Sequence, residues 1–68
     1  MTPAQQSVLA VHPTAFASWH QGDGCKVYYR YFEAYIGISA TCATEAEAWL
    51  SAWEKLQERA KEETYHAT

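Results

Sequence analysis

Residues 25–56, CKVYYRYFEAYIGISATCATEAEAWLSAWEKL, constrain the fold more than any other stretch of the chain. Two runs of alternating residues are followed by a helix with a marked start. Strand side chains alternate between faces, so the pairing register decides what shares a face. If the runs fold about Glu33-Ala34, Val27 faces Ala40, Tyr29 faces Ile38, Tyr31 faces Ile36 and Cys25 faces Cys42. One face then carries Val27, Tyr29, Tyr31, Ile36, Ile38 and Ala40 and reads as a core. The other carries Lys26, Tyr28, Arg30, Phe32, Tyr35, Gly37 and Ser39 and reads as an aromatic surface with cations. Two-residue hairpins favour Gly or Asn at positive φ, which Glu33-Ala34 lacks. A four-residue loop over Phe32–Tyr35 keeps the same pairing and is preferred.

The helix is predicted from Thr44 to about Glu62. Thr44 and Glu47 form a T-x-x-E capping box, and Glu45 complements the positive end of the helix dipole. Ala46, Trp49, Trp53, Leu56 and Ala60 make one stripe, widened by Leu50 and Ala52. The tail Thr64–Thr68 is expected to fray. Upstream, Thr2-Pro3-Ala4-Gln5 reads as an N-cap, a proline at the first helical position and a capping-box glutamine. A short helix over about residues 3–10 would present Val8, Leu9 and Val11 and stop before Pro13. An extended Ser7–Val11 is the alternative, which would leave β-β-β-α. Ala15–Gln21 reads as a strand and Gly22-Asp23-Gly24 as its turn. Its register stays open: a three-residue loop pairs Trp19 with Val27 in the core, and a four-residue loop turns Trp19 outward and Phe16 inward. The expected fold is α+β, a single domain in which a three-stranded antiparallel sheet carries a long C-terminal helix and a short N-terminal helix on one face.

A chain of 68 residues buries only about 60% of its unfolded surface. Each buried ring removes roughly 150–250 Å² from water, an upper bound of about 4–6 kcal/mol. Trp49, Trp53, Tyr29 and Tyr31 are therefore the expected weight of the core. The net charge of −3 argues against generic phosphate-backbone binding, which needs a basic footprint. The late acidic residues, mixed with Lys55, Arg59 and Lys61, read as a solvated helix face. No apolar run reaches the roughly 18–20 residues of a membrane span. The first residues lack the basic start of a signal peptide, and two cysteines are too few for a secreted disulfide framework, so a cytoplasmic location is expected.

No catalytic residue, cofactor or metal site is expected. His12, His20 and His66 with the cysteines match no zinc spacing. Asp23 and Glu33 lie in turns without a partner base, Ser18, Ser39 and Thr41 lack an activating motif, and Gly22-Asp23-Gly24 has no phosphate-loop context. Cys25 and Cys42 read either as two small thiols or as a cross-strand disulfide, easier in a non-hydrogen-bonded pair. The remaining candidate is the outer face, with Tyr28, Arg30, Phe32 and Tyr35 as partner-binding residues, since aromatics and arginine are enriched at interfaces. Cross-strand pairs that only stabilise the hairpin, cover by the N-terminal segment, and a homodimer through this face are the other readings.

The α-β-β-β-α order resembles the double-stranded-RNA-binding domain, with Gly37-Ile38-Ser39-Ala40-Thr41 and Thr44–Trp49 at the places of its last strand and second helix. That family grips phosphates with lysines at the start of the helix, where this chain has Thr44, Glu45 and Glu47. Nucleic acid is accordingly not the expected partner. His12-Pro13-Thr14-Ala15-Phe16, the Tyr-rich strand, Ile36-Gly37 and Thr44-Glu45-Ala46-Glu47-Ala48-Trp49 together resemble small phage- and prophage-encoded proteins. That resemblance implies a modulator or inhibitor of a host protein complex, of the kind that blocks CRISPR–Cas machinery, and it carries over no functional residue.

Overall fold

Thr2 opens the first helix, α1 (Pro3–Val11), by accepting a 3.1 Å hydrogen bond from the Gln5 amide at its hydroxyl. The computed structural model describes the backbone of residues 1–67 and the side chains of residues 1–61. After α1 come β1 (Phe16–His20), β2 (Gly24–Tyr31), β3 (Ala34–Gly37) and α2 (Glu45–Ala67). The strands form one antiparallel sheet in the order β1-β2-β3. The expected α+β architecture and element order are thus present.

The first hairpin turns through Gln21, Gly22 and Asp23, with the Asp23 amide donating to the His20 carbonyl at 3.0 Å. Phe16 pairs with Tyr28, Ala17 with Val27 and Trp19 with Cys25. Ala15 and Ala17 therefore reach the core while Phe16 lies on the other face. Trp19 shares the side of Val27 but stands at the sheet's end, 62% exposed. Neither register expected for this strand is the one observed.

The second hairpin is tighter than expected. Its turn is Phe32-Glu33, and Phe32 adopts φ +56°. Tyr28 then pairs with Gly37, Tyr29 with Ile36, Arg30 with Tyr35 and Tyr31 with Ala34. The expected pairings of Tyr29 with Ile38 and Tyr31 with Ile36 are each displaced by two residues, and Phe32 falls in the turn. Because the displacement is even, the faces are preserved. Further along, Cys25 pairs with Cys42 as the hairpin arithmetic predicts. Between these two pairs Lys26 and Val27 oppose Ile38, Ser39, Ala40 and Thr41, so the third segment bulges outward by two residues. At the bulge the buried Val27 amide donates to the Ser39 hydroxyl at 2.8 Å, and Val27 carbonyl accepts from the Ile38 amide at 2.9 Å. Ser39, expected on the outer face, is buried by this role, and Ala40, expected in the core, is exposed.

Thr44 caps α2, accepting from the Glu47 amide at 3.2 Å. The buried set is Val8, Cys25, Val27, Ile38, Ala48, Trp49 and Ala52, with Leu9, Tyr29, Trp53 and Leu56 around it. Ala46 and Leu50 are exposed instead of joining the stripe, Ala60 borders a hollow beside Trp53 and Leu56, and Tyr31 is exposed. α1 packs on α2, buries Val8 and leaves Val11 exposed. The His12 ring following α1 stacks on Tyr29 at 4.0 Å. α2 runs to Ala67, beyond the end predicted near Glu62. Thr68 and the His66 ring lie outside the described residues, as do the side chains of the tail expected to fray. Among the described residues no helix is long and apolar enough to cross a membrane.

Candidate functional site

Both helices lie on the side of Cys25, Val27 and Tyr29, which leaves the opposite face of the sheet uncovered by either of them. Strand alternation puts Phe16, Ser18 and His20 of β1, Lys26, Tyr28 and Arg30 of β2, and Tyr35 and Gly37 of β3 on that face. None of these eight positions carries a carboxylate.

Tyr28 is the hub. Its ring stacks on Phe16 at 6.0 Å and meets the His20 ring edge-on at 5.7 Å. Its hydroxyl shares a 2.8 Å hydrogen bond with His20 Nε2. Phe16 in turn meets Tyr35 edge-on at 5.6 Å. The Lys26 ammonium stands 5.5 Å from the Tyr28 ring centre, within cation–π reach. The Lys26 stem occupies the space above Gly37, where a Cβ would meet its Cε at 2.7 Å. Two shallow depressions flank Tyr28. One of about 360 Å³ lies over Phe16, Ser18, His20 and Tyr35, and one of about 370 Å³ lies among His20, Asp23, Lys26 and Thr41.

Of the residues expected to bind a partner, Tyr28, Arg30 and Tyr35 share this face, with Tyr35 65% exposed. Phe32 does not join them. It stands at the hairpin tip, 79% exposed, against the Tyr31 ring, and its carbonyl accepts from Arg30 Nε at 2.9 Å. Phe16 and His20 belong to the face and were not among the sequence candidates. Their signal was the alternation of the first strand, which carries no information until its register is fixed.

Cys25 and Cys42 are neighbours and both are free thiols. They form a hydrogen-bonded pair, with amide-to-carbonyl distances of 2.7 and 2.8 Å. Burial, reinforced by Glu45 and Cys42, pushes the Cys25 thiol above its ordinary value of 9.0. Among the described residues no three His, Cys, Asp or Glu side chains are grouped to hold a metal ion. A further hollow of about 400 Å³ lies between the helices, bordered by Val11, His12, Trp53, Leu56 and Arg59. Comparison with protein-family models, with curated proteins and with solved structures finds no match to this chain.

Proposed function

We propose that this chain is a small non-enzymatic binding module that docks a partner protein on the open face of its sheet. The observation that carries the reading is the ring cluster Phe16–Tyr28–Tyr35, uncovered by either helix and set beside Lys26 and Arg30, with no carboxylate at the strand positions of the face and Asp23 bordering it from the turn. Rings supply apolar contact at low entropic cost, and exposed cations select the partner by charge. The fitting partner surface is apolar with an acidic rim. The resemblance of the sequence to small phage-encoded proteins supports a host protein complex as that partner, so the chain would act in the host cytoplasm by occupying a surface, as CRISPR–Cas inhibitors do.

The test has two stages. Host proteins captured by the immobilised chain are identified, and one is purified and titrated with wild type, Tyr35→Ser, Arg30→Ala and Phe32→Asn. Tyr35→Ser should weaken binding about 30-fold, the scale of an interface hot spot. Phe32→Asn, changed off the face, should bind as wild type. Equal affinity for wild type and Tyr35→Ser would remove the face from the function.

One observation favours a second reading. Rings and cations on an open sheet can also stack the bases of single-stranded nucleic acid. Duplex RNA binding through the start of α2 is disfavoured by Glu45 and Glu47 in its first turn. An oligonucleotide titration at several salt concentrations separates the cases, because phosphate contacts give affinity a steep salt dependence. Sedimentation at several concentrations identifies a second copy as the occupant.

A further inference from the structure

We infer that Cys25 and Cys42 form a thiol–disulfide site, in which Cys42 takes a low-molecular-weight disulfide and Cys25 resolves the adduct. The inference is independent of the partner-binding face. The two residues face each other directly across the sheet and exchange both backbone hydrogen bonds. Such a pair has Cα atoms about 5.5 Å apart, inside the roughly 4.4–6.8 Å that a disulfide spans. Directly opposed residues also project to the same face; because the Cβ atoms of a hydrogen-bonded pair stand farther apart than those of the other kind, closing the bond draws the two segments slightly together.

The two segments are held close beside the pair. Gly24 lies at φ +114°, and a Cβ there would run into the Cys42 carbonyl oxygen. On the other side, Thr44 starts α2 two residues after Cys42. The thiols differ in access: Cys25 is fully buried and Cys42 only partly. Attack on a disulfide needs an accessible thiolate, which assigns the first step to Cys42. Its sulfur now donates to the Ala40 carbonyl at the bulge, 3.5 Å away.

The chemistry balances in two exchanges. Cys42 displaces one half of the small disulfide, forming a mixed disulfide and releasing one small thiol. Cys25 then attacks the Cys42 sulfur, loses its proton to the departing sulfur and releases the second thiol. The two protein thiols are oxidised by two electrons, and the small disulfide is reduced to two thiols. The product ties the start of β2 to the segment leading into α2 and closes the hairpin into a ring. Closing such a loop restricts the unfolded chain and stabilises the fold.

Oxidised glutathione added to the reduced full chain tests this. Wild type should lose about 2 Da, the mass of the two hydrogens removed in forming one disulfide. Peptide mapping should find Cys25 joined to Cys42, and the melting midpoint should rise by several degrees. Cys25→Ala should stop at one glutathione per chain on Cys42, and Cys42→Ala should keep its thiol over the same time. A stable glutathione adduct on wild type, disulfides between chains, or equal labelling of the two variants would overturn the assignment. Should Cys25→Ala fail to fold, the wild-type peptide map decides alone.

Discussion

Two single residues hold backbone conformations on which the sheet depends. Gly24 stands where β2 begins, at positive φ and against the Cys42 carbonyl. A side chain there would meet both obstacles, left-handed backbone and overlap with main-chain atoms. Gly24→Ala should therefore lower the unfolding free energy by more than about 2 kcal/mol in a denaturant titration. Gly22 also has positive φ, at +84°, but open space around it, and Gly22→Ala should cost only about 1 kcal/mol. Equal losses would mean that the approach of Gly24 to Cys42 does not matter. Phe32 is the opposite case, a bulky residue at φ +56°. Such backbone costs an L-residue roughly 1–2 kcal/mol. The Arg30 hydrogen bond to its carbonyl and the Tyr31 ring, 4.6 Å away, hold it there. The sequence has no Gly or Asn at that turn, so it gives no warning that the hairpin closes so tightly.

Among the elements, β2 shows how side chains complete a ladder that the neighbouring strands leave unfinished. Beyond the start of β1, the Thr14 hydroxyl accepts from the Arg30 amide and donates to the Arg30 carbonyl, both at 3.1 Å. At the bulge on the other edge, the Ser39 hydroxyl takes the Val27 amide and donates to the Ala40 carbonyl at 2.9 Å. The bulge is secured further by the Ala40 amide, which donates to Ser51 of α2 at 3.0 Å. Ser39→Ala should strand a buried amide and cost about 1–3 kcal/mol, whereas Thr14→Ala, at an exposed site, should cost less than 1 kcal/mol or so. Thermal melts of the two variants check this, and a smaller effect at Ser39 would contradict it. These elements also mark what the sequence makes legible. Both helix starts are readable because a cap and its partner lie three residues apart, as Thr2–Gln5 and Thr44–Glu47 do. The two faces of β2 are readable because alternation survives an even slip. The register is not, because it depends on a strained Phe32 and a serine that replaces a backbone partner, and neither has a local signature. The open face of the sheet was accordingly legible at Tyr28, Arg30 and Tyr35 and hidden at Phe16 and His20.

At the scale of the whole molecule, one-sidedness governs stability and leaves free the face proposed to dock a partner. A single layer of helices covers a single face of the sheet, so the core rests on the seven buried hydrophobic residues found among the described ones. Trp49 is the largest of them, 2% exposed, with an indole N–H that has no hydrogen-bond partner among the described residues. It is held for its volume, not for polar bonding. A domain of this size has a total stability of roughly 3–10 kcal/mol, and emptying a buried tryptophan site costs about 3–5 kcal/mol. Trp49→Ala should therefore abolish or nearly abolish the cooperative melt followed by circular dichroism. Trp53→Ala, at a site only partly buried, should keep a cooperative transition at a lower midpoint. The reverse order would mean that the helix layer rests on Trp53 and the groove beside it. Tyr35 stands on the side that this core does not reach, where its ring meets Phe16 edge-on, so Tyr35→Ser should cost no more than about 1 kcal/mol and keep the cooperative melt. A loss of partner affinity in that variant well beyond this cost, with the cooperative melt retained, would then belong to the surface itself and not to the fold beneath it.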